Sequence, residues 1–362
     1  MAIYLGSEKI KFTQGEIDAA ESPIVKEIIE GAISGTYNNS RISEIGDYAF
    51  ANCSNLTEVN FSNCTNIKAN AFDNCNNLTS VNFPSCSYIY PGAFQNCINL
   101  SFVNFPNCEA IGGGAFSYCG SLINISFPNC SYIGNTAFFS CSNLTTISFP
   151  KCTSIETGAF QGCSNLISIS FSKCNQLNGW TFVSCINLTT ADFLNCSSIG
   201  SGDFSDCDRL TTVNFPNCSY IQRGAFFECF NLTSISFPKC VSIASRAFAY
   251  CSKLNSINFP NCSSIGSSAF INCSSLAEVN FANCTYIGEQ AFYNCSTLLS
   301  IYLIGTSVPV LTSIDAFGLT PLDDSSLIVL EEYGSIYVPA SLYTTFITAT
   351  NWSFYSARIV SI

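Results

Sequence analysis

Along most of this chain the apolar residues fall into blocks that return every 22 positions. One block runs Leu78, Val81, Phe83, Cys86, Ile89, Ala93, Phe94 and Cys97; the next runs Leu100, Val103, Phe105, Cys108, Ile111, Ala115, Phe116 and Cys119. Val81 and Phe83 lie two apart, the period of a strand, so Asn82 between them faces the other way. Each block therefore predicts one short strand. Pro84, Pro106, Pro128, Pro150, Pro216, Pro238 and Pro260 follow the strand phenylalanine and lack a ladder donor, which ends the strand there. In the second half of the block, Ala-Phe-x-x-Cys has the spacing of one helical turn. The pattern predicts a solenoid in which strand, turn, helical turn and return make one coil. Parallel strands joined in this way are expected to wind right-handed.

A lone coil cannot bury its own apolar face, so the repeat implies stacking against neighbours. Phe61 to Phe281 and Phe50 to Phe292 form two pure phenylalanine columns. About twelve coils over residues 42–303, at the spacing of adjacent strands, predict a ladder of roughly 55 Å. The ladder's open ends call for covers, since unpaired strand edges invite aggregation. Residues 1–41 read as the first cap, a strand plus a short helix over 23–33. Ser22 and Pro23 start that helix and Ile24, Val25, Ile28, Ile29 and Ile33 form its apolar face. Beyond Leu303 the period slips. Ala316-Phe317 arrives three residues late as a last irregular coil, and residues 304–362 then read as the second cap, with a strand over 335–338 and a helical segment over 340–349.

Cysteine keeps the beat. It stands at every eleventh position from Cys53 to Cys295, and all 23 cysteines belong to that series. Same-column thiols one coil apart would sit about 4.8 Å from each other with parallel Cβ vectors, a poor match to the roughly 3.8 Å a disulfide requires. They read as buried free thiols, and the absence of Cys-x-x-Cys pairs speaks against a metal ladder.

Composition narrows the function classes. The net charge of -11 and the scattered lysines and arginines argue against nucleic acid or an anionic membrane as partner, and no run of 18 apolar residues is available for membrane insertion. The first residues reach Glu8, Lys9 and Lys11 too soon for an export signal, so the chain is expected to be unexported, exported by another route, or already trimmed. There is no histidine, which removes the commonest general base and zinc ligand. No cofactor is expected.

The run Leu122, Ile125, Phe127, Pro128, Ile133, Gly134, Ala137, Phe138, Cys141 and Leu144 resembles the BspA-like leucine-rich repeats, as does the ending Ile336, Tyr337, Val338, Pro339, Trp352 and Ile359. The resemblance spans about residues 42–362. It implies an α/β-type leucine-rich-repeat solenoid that is not an enzyme and works as an adhesion or binding protein at the cell surface or outside the cell. The coil here is one residue shorter than the family's usual coil. Without an export signal, a virion or the cytoplasm stays open as the location.

Two candidate sites emerge. The first is the outward strand column: Asn60, Asn82, Asn104, Ser126, Ser148, Ser170, Asp192, Asn214, Ser236, Asn258 and Asn280. Beside it runs a second polar column with Phe102 as the exception. Hydroxyls and amides at strand spacing suit an extended protein or glycan ligand; the same residue types would also serve merely to keep a crowded sheet face hydrated. The second is the group Asp192, Asp203, Asp206 and Asp208, where the repeat degrades. A calcium site there needs several converging oxygens, whereas plain repeat decay needs none. Asp203 occupies a core position, which predicts that the chain either exposes it or hydrogen-bonds it. A different class of reading is a structural component of a phage particle or filament, with self-association end to end.

Overall fold

The computed structural model describes residues 2–5, 8–11, 35–38, 40, 42–323 and 333–362. The chain forms two compact units, residues 1–173 and 174–362. Each is a parallel β-solenoid of stacked 22-residue coils.

In the first unit every complete coil contributes two strands. The longer ones, here called Phe strands, include Leu56–Asn60, Ser80–Asn82 and Phe102–Asn104. These follow Gly35–Asn38 in one ladder, and Asn124–Ser126 pairs with Thr146–Ser148 in another. Register is strict: Val59 pairs with Val81 and Val81 with Val103, each 22 residues on. The second set, the Ile strands, comprises two-residue elements such as Tyr88–Ile89, Ala110–Ile111 and Tyr132–Ile133, joined in an unbroken ladder of six from Glu44–Ile45 to Ser154–Ile155. The pattern reading, which predicted one strand per coil, missed this set.

The second unit repeats the scheme. Its Ile strands run in a ladder of six from Ser198–Ile199 to Val310–Leu311. Its Phe strands pair Thr190–Asp192 with Thr212–Asn214 and Ser234–Ser236 with Ser256–Asn258, and they end in a ladder of Glu278–Asn280, Ser300–Tyr302, Ser335–Val338 and Ile359–Ser361.

The expected helical turn in each coil is absent. Between Lys68 and Cys75 the N–H groups of Ala71, Asp73 and Cys75 return to the carbonyls of Lys68, Asn70 and Phe72. Those of Asn70, Phe72 and Asn74 donate instead to Pro91, Ala93 and Gln95 of the next coil at 2.9, 2.7 and 2.9 Å. Asn70 and Asn74 have φ of 55° and 58°. A pair of left-handed residues four apart is incompatible with a helix, yet it returns Ala and Phe to the same inward side, which is why the spacing imitates one. Among the described residues the helical segments all lie beyond residue 313: Ile314–Phe317, Ala340–Leu342, Tyr343–Thr348 and Trp352–Arg358. None is long and apolar enough to cross a membrane.

Neighbouring coils approach closely at Gly134, a position where other coils carry Tyr90, Glu156 or Gln222. A Cβ on Gly134 would lie 2.6 Å from the Gly113 nitrogen and 2.7 Å from the Gly112 carbonyl carbon. Asparagine before the cysteine ties the coils together from outside, as where Asn107 Nδ2 donates to the Pro84 carbonyl and Asn129 Nδ2 to that of Pro106, both at 2.8 Å.

The core of each unit is two columns of rings. In the first unit Phe50, Phe72, Phe94, Phe116, Phe138 and Phe160 stack at 5.0 to 5.3 Å with interplanar angles of 3 to 8°. The Phe-strand column meets them mostly edge to face, as Phe83 meets Phe94 at 6.1 Å and 64°, the offset geometries that ring quadrupoles favour. All 23 cysteines are buried and unbridged. In one column the thiol donates to a carbonyl of the preceding coil, as from Cys97 to Phe72 at 3.1 Å; in the other it donates two residues on, as from Cys108 to Ala110 at 3.3 Å. Cysteine is thus a small apolar filler that also supplies a weak donor.

At the end of the second unit Phe317 stacks on Phe292 at 5.7 Å, with Trp352 tilted at 6.0 Å and Tyr355 edge-on at 5.3 Å from the same ring. The Trp352 indole donates to the Pro309 carbonyl at 2.7 Å and the Tyr355 hydroxyl to that of Ile314. Ser335–Val338 and the short helices match the expected strand and helical segment. The predicted helix over 23–33 lies outside the described residues; of the expected N-terminal cap, Ala2–Leu5 and Glu8–Lys11 form an antiparallel pair.

Candidate ligand-binding face

Strand alternation aims the predicted column outward in each unit. In the first, Asn60, Asn82 and Asn104 are half-buried and Ser126, Ser148 and Ser170 exposed. In the second, Asp192 is half-buried and Asn214, Ser236, Asn258 and Asn280 are exposed. The column is not a row of independent groups. Asn82 Nδ2 donates to Asn60 Oδ1 at 2.9 Å and Asn104 Nδ2 to Asn82 Oδ1 at 2.7 Å, an amide ladder along the stacking direction. Asn214 Nδ2 donates to Asp192 Oδ1 at 2.7 Å and Asn258 Nδ2 to Ser236 Oγ at 3.0 Å. An amide offers two N–H donors and two lone pairs, so Asn82, which donates to Asn60 and accepts from Asn104, keeps one of each to present outward.

The Phe-strand face is also not uniform. Within the first unit the ladder stops between Phe102–Asn104 and Asn124–Ser126, where the Ile ladder runs through the same coils intact, and again between Thr146–Ser148 and Ser168–Ser170. The rings beneath register this: Phe105 and Phe127 are 5.8 Å apart and Phe149 and Phe171 6.1 Å, against 5.4 Å for Phe83 to Phe105 and for Phe127 to Phe149. The second unit breaks likewise between Thr212–Asn214 and Ser234–Ser236, where Phe215 and Phe237 are 6.0 Å apart, and between Ser256–Asn258 and Glu278–Asn280. Val103, the inward residue beside the first break, is half-buried where its counterparts Val59 and Val81 are buried.

A shallow trough crosses this opening, floored by Val103, Ile125 and Ile147 and edged by Asn104, Ser126 and Ser148 of the predicted column. Phe102, 56% exposed, and Ile123, 49% exposed, stand on its lip. Sequence reading noted Phe102 only as an irregularity in a polar column; the opening beside it has no signature in the repeat pattern. In the second unit the column beyond Asn280 continues in register to Tyr302 and Tyr337, whose rings stack at 4.6 Å and 12°. Extending the column by one coil would have found Tyr302.

The four aspartates do not converge. Asp203 is fully buried and accepts from the Thr181 N–H at 3.1 Å and the Gly200 N–H at 2.5 Å. Burial pushes its pKa up to about 6 despite these donors. The expectation that the chain would hydrogen-bond it holds, through amides that close around the carboxylate. Asp192 belongs to the strand face and Asp206 sits at a left-handed turn position with φ of 59°. Among the described residues no group of three or more His, Cys, Asp or Glu side chains is placed to hold a metal ion.

Comparison with known proteins agrees with this architecture. The family model of the BspA type leucine-rich repeat region matches residues 32–130, 109–228 and 182–299. No curated protein matches the chain. Among solved structures, a leucine-rich repeat protein from Bacteroides ovatus is 23% identical, with 91% of this chain and 94% of that one covered and a TM-score of 0.61. A leucine-rich cell surface protein from Faecalibacterium prausnitzii is also 23% identical, covering 88% and 92% at a TM-score of 0.49. At that identity the likeness is one of fold.

Proposed function

The chain belongs to the BspA-type leucine-rich-repeat family, and from that premise we propose that it is a non-enzymatic binding or adhesion protein that acts at the cell surface or outside the cell. It engages an extended protein or glycan ligand along the Phe-strand face. The observation that carries this reading is the trough at Phe102. There the polar ladders and an exposed apolar lip converge on one opening, the combination of an aromatic anchor with oriented polar groups that recognition sites use. Hydroxyls and amides repeated at strand spacing give many weak contacts, so affinity accumulates along the ligand.

The test is a glycan array and a pull-down on intact cells, run with the native chain, with Phe102→Ser, and with Asn82, Asn104 and Ser126 all changed to arginine. Binding by the native chain that falls at least tenfold in both variants supports the face. Equal binding by the variants, or none by the native chain, overturns it.

A further inference from the structure

The Ile ladder of the first unit carries a second site of a different build. Tyr88 and Tyr132 occupy the same register position two strands apart, with Ala110 paired between them. Both rings are exposed, at 44% and 42%. Because the residue between them is an alanine, the rings wall a slot floored by Ala110, Ile111 and Gly112 and bounded by Tyr90 and Pro91. Next to the slot lies a polar hollow lined by Ser87, Asn107, Glu109, Asn129, Ser131 and Lys151. Glu109, the neighbour of Ala110, joins the two: the Tyr88 hydroxyl donates to Glu109 Oε2 at 3.3 Å. Across the hollow Lys151 Nζ donates to Asn129 Oδ1 at 2.7 Å.

We propose that this slot binds one pyranose ring of a carbohydrate, with the ring between Tyr88 and Tyr132 and its hydroxyls directed to Glu109 and the hollow. Two strand steps place the walls about 9.6 Å apart at their bases. A flat aromatic guest in contact with both walls at about 3.5 Å would fill only about 7 Å. A saturated ring, with axial hydrogens on both faces, takes up the remainder and presents partly positive C–H groups to the electron-rich faces of the tyrosines. An apolar side chain would suit the slot but leave the hollow unused. A polyol uses both, since carboxylate, amide, hydroxyl and ammonium groups together supply acceptors and donors for adjacent hydroxyls. The site shares no lining residue with the trough at Phe102 and stands or falls independently of it.

The experiment is saturation-transfer NMR on the full chain with methyl glycosides of glucose, galactose, mannose and N-acetylglucosamine at millimolar concentration, and with p-cresol as the flat competitor. At least one glycoside is expected to receive saturation on its ring protons. Its affinity should fall at least tenfold in Tyr88→Ala and Tyr132→Ala, and also in Ala110→Leu, which fills the slot but keeps both rings. Tyr220→Ala, at an exposed tyrosine of the second unit's Ile ladder that pairs with Ser198 and Ser242 and belongs to neither site, should bind as the native chain does. Unchanged melting of Ala110→Leu guards against a folding artefact. No saturation of any glycoside, equal binding by the tyrosine variants, or displacement of the glycoside by equimolar p-cresol would overturn the proposal.

Discussion

Asp203 shows how one residue writes a pH dependence into a repeat. Its carboxyl ionises near 6 in the folded chain against 3.8 when free, so the fold prefers the protonated form. The stabilising contribution is therefore complete below pH 3.8 and is lost as pH rises through 6; above that the buried charge costs on the order of 3 kcal/mol. Melting followed by circular dichroism should show the second unit gaining stability between pH 7 and 4.5, and Asp203→Asn should flatten that gain; a slope unchanged in the variant counts against the assignment. The cysteines act at the same scale. Burial drives their thiols up, to about 12 at Cys130 and Cys163. Native protein at pH 8 should leave Ellman's reagent nearly uncoloured, whereas in guanidinium all 23 thiols should titrate. Burial of cysteine was legible from sequence because the spacing locked it to the apolar columns. Its role as a donor was not, because that depends on where the carbonyls of the preceding coil fall.

At the scale of the element, the turn segments replace the anticipated helical turns, and their chemistry is testable. Gly224 has φ of 62°, and a Cβ there would lie 3.7 Å from that of Phe227, with no tighter neighbour. Gly224→Val should therefore lose about 1–2 kcal/mol through backbone strain alone. Thr136 holds φ of 52° with a branched side chain, so Thr136→Gly should move in the opposite direction by up to about 1 kcal/mol. Paired denaturation curves check both, and a neutral Gly224→Val would refute the strain account. Strand positions were readable because alternation around Asn82 is unambiguous. The two-residue Ile strands were not, because two residues are too few to show a period. The left-handed positions hid behind Asn, Gly, Thr, Tyr and even Trp180, residues that share no pattern beyond exposure or small size.

For the whole molecule, the repeat makes stability a matter of neighbouring coils. Deleting residues 116–137, a full 22, should leave a folded chain with slightly lower melting temperature. Deleting 116–126, half as many, sets the two cysteine columns out of phase and should abolish cooperative melting in the first unit; survival of both deletions would contradict the strict register between coils. Fold class and core columns were legible at this scale because every coil votes for them. The opening beside Phe102 and the Tyr88 slot were not, because both arise where one coil differs from the next. The sulfur columns carry a further consequence. Thiols that are silent once packed are all bare on the unfolded chain, and any two of them oxidised together would tie coils out of order. If this protein matures in an oxidising compartment, zipping of coils must outrun air, and a reductant or a speedy start at one end becomes part of its biogenesis.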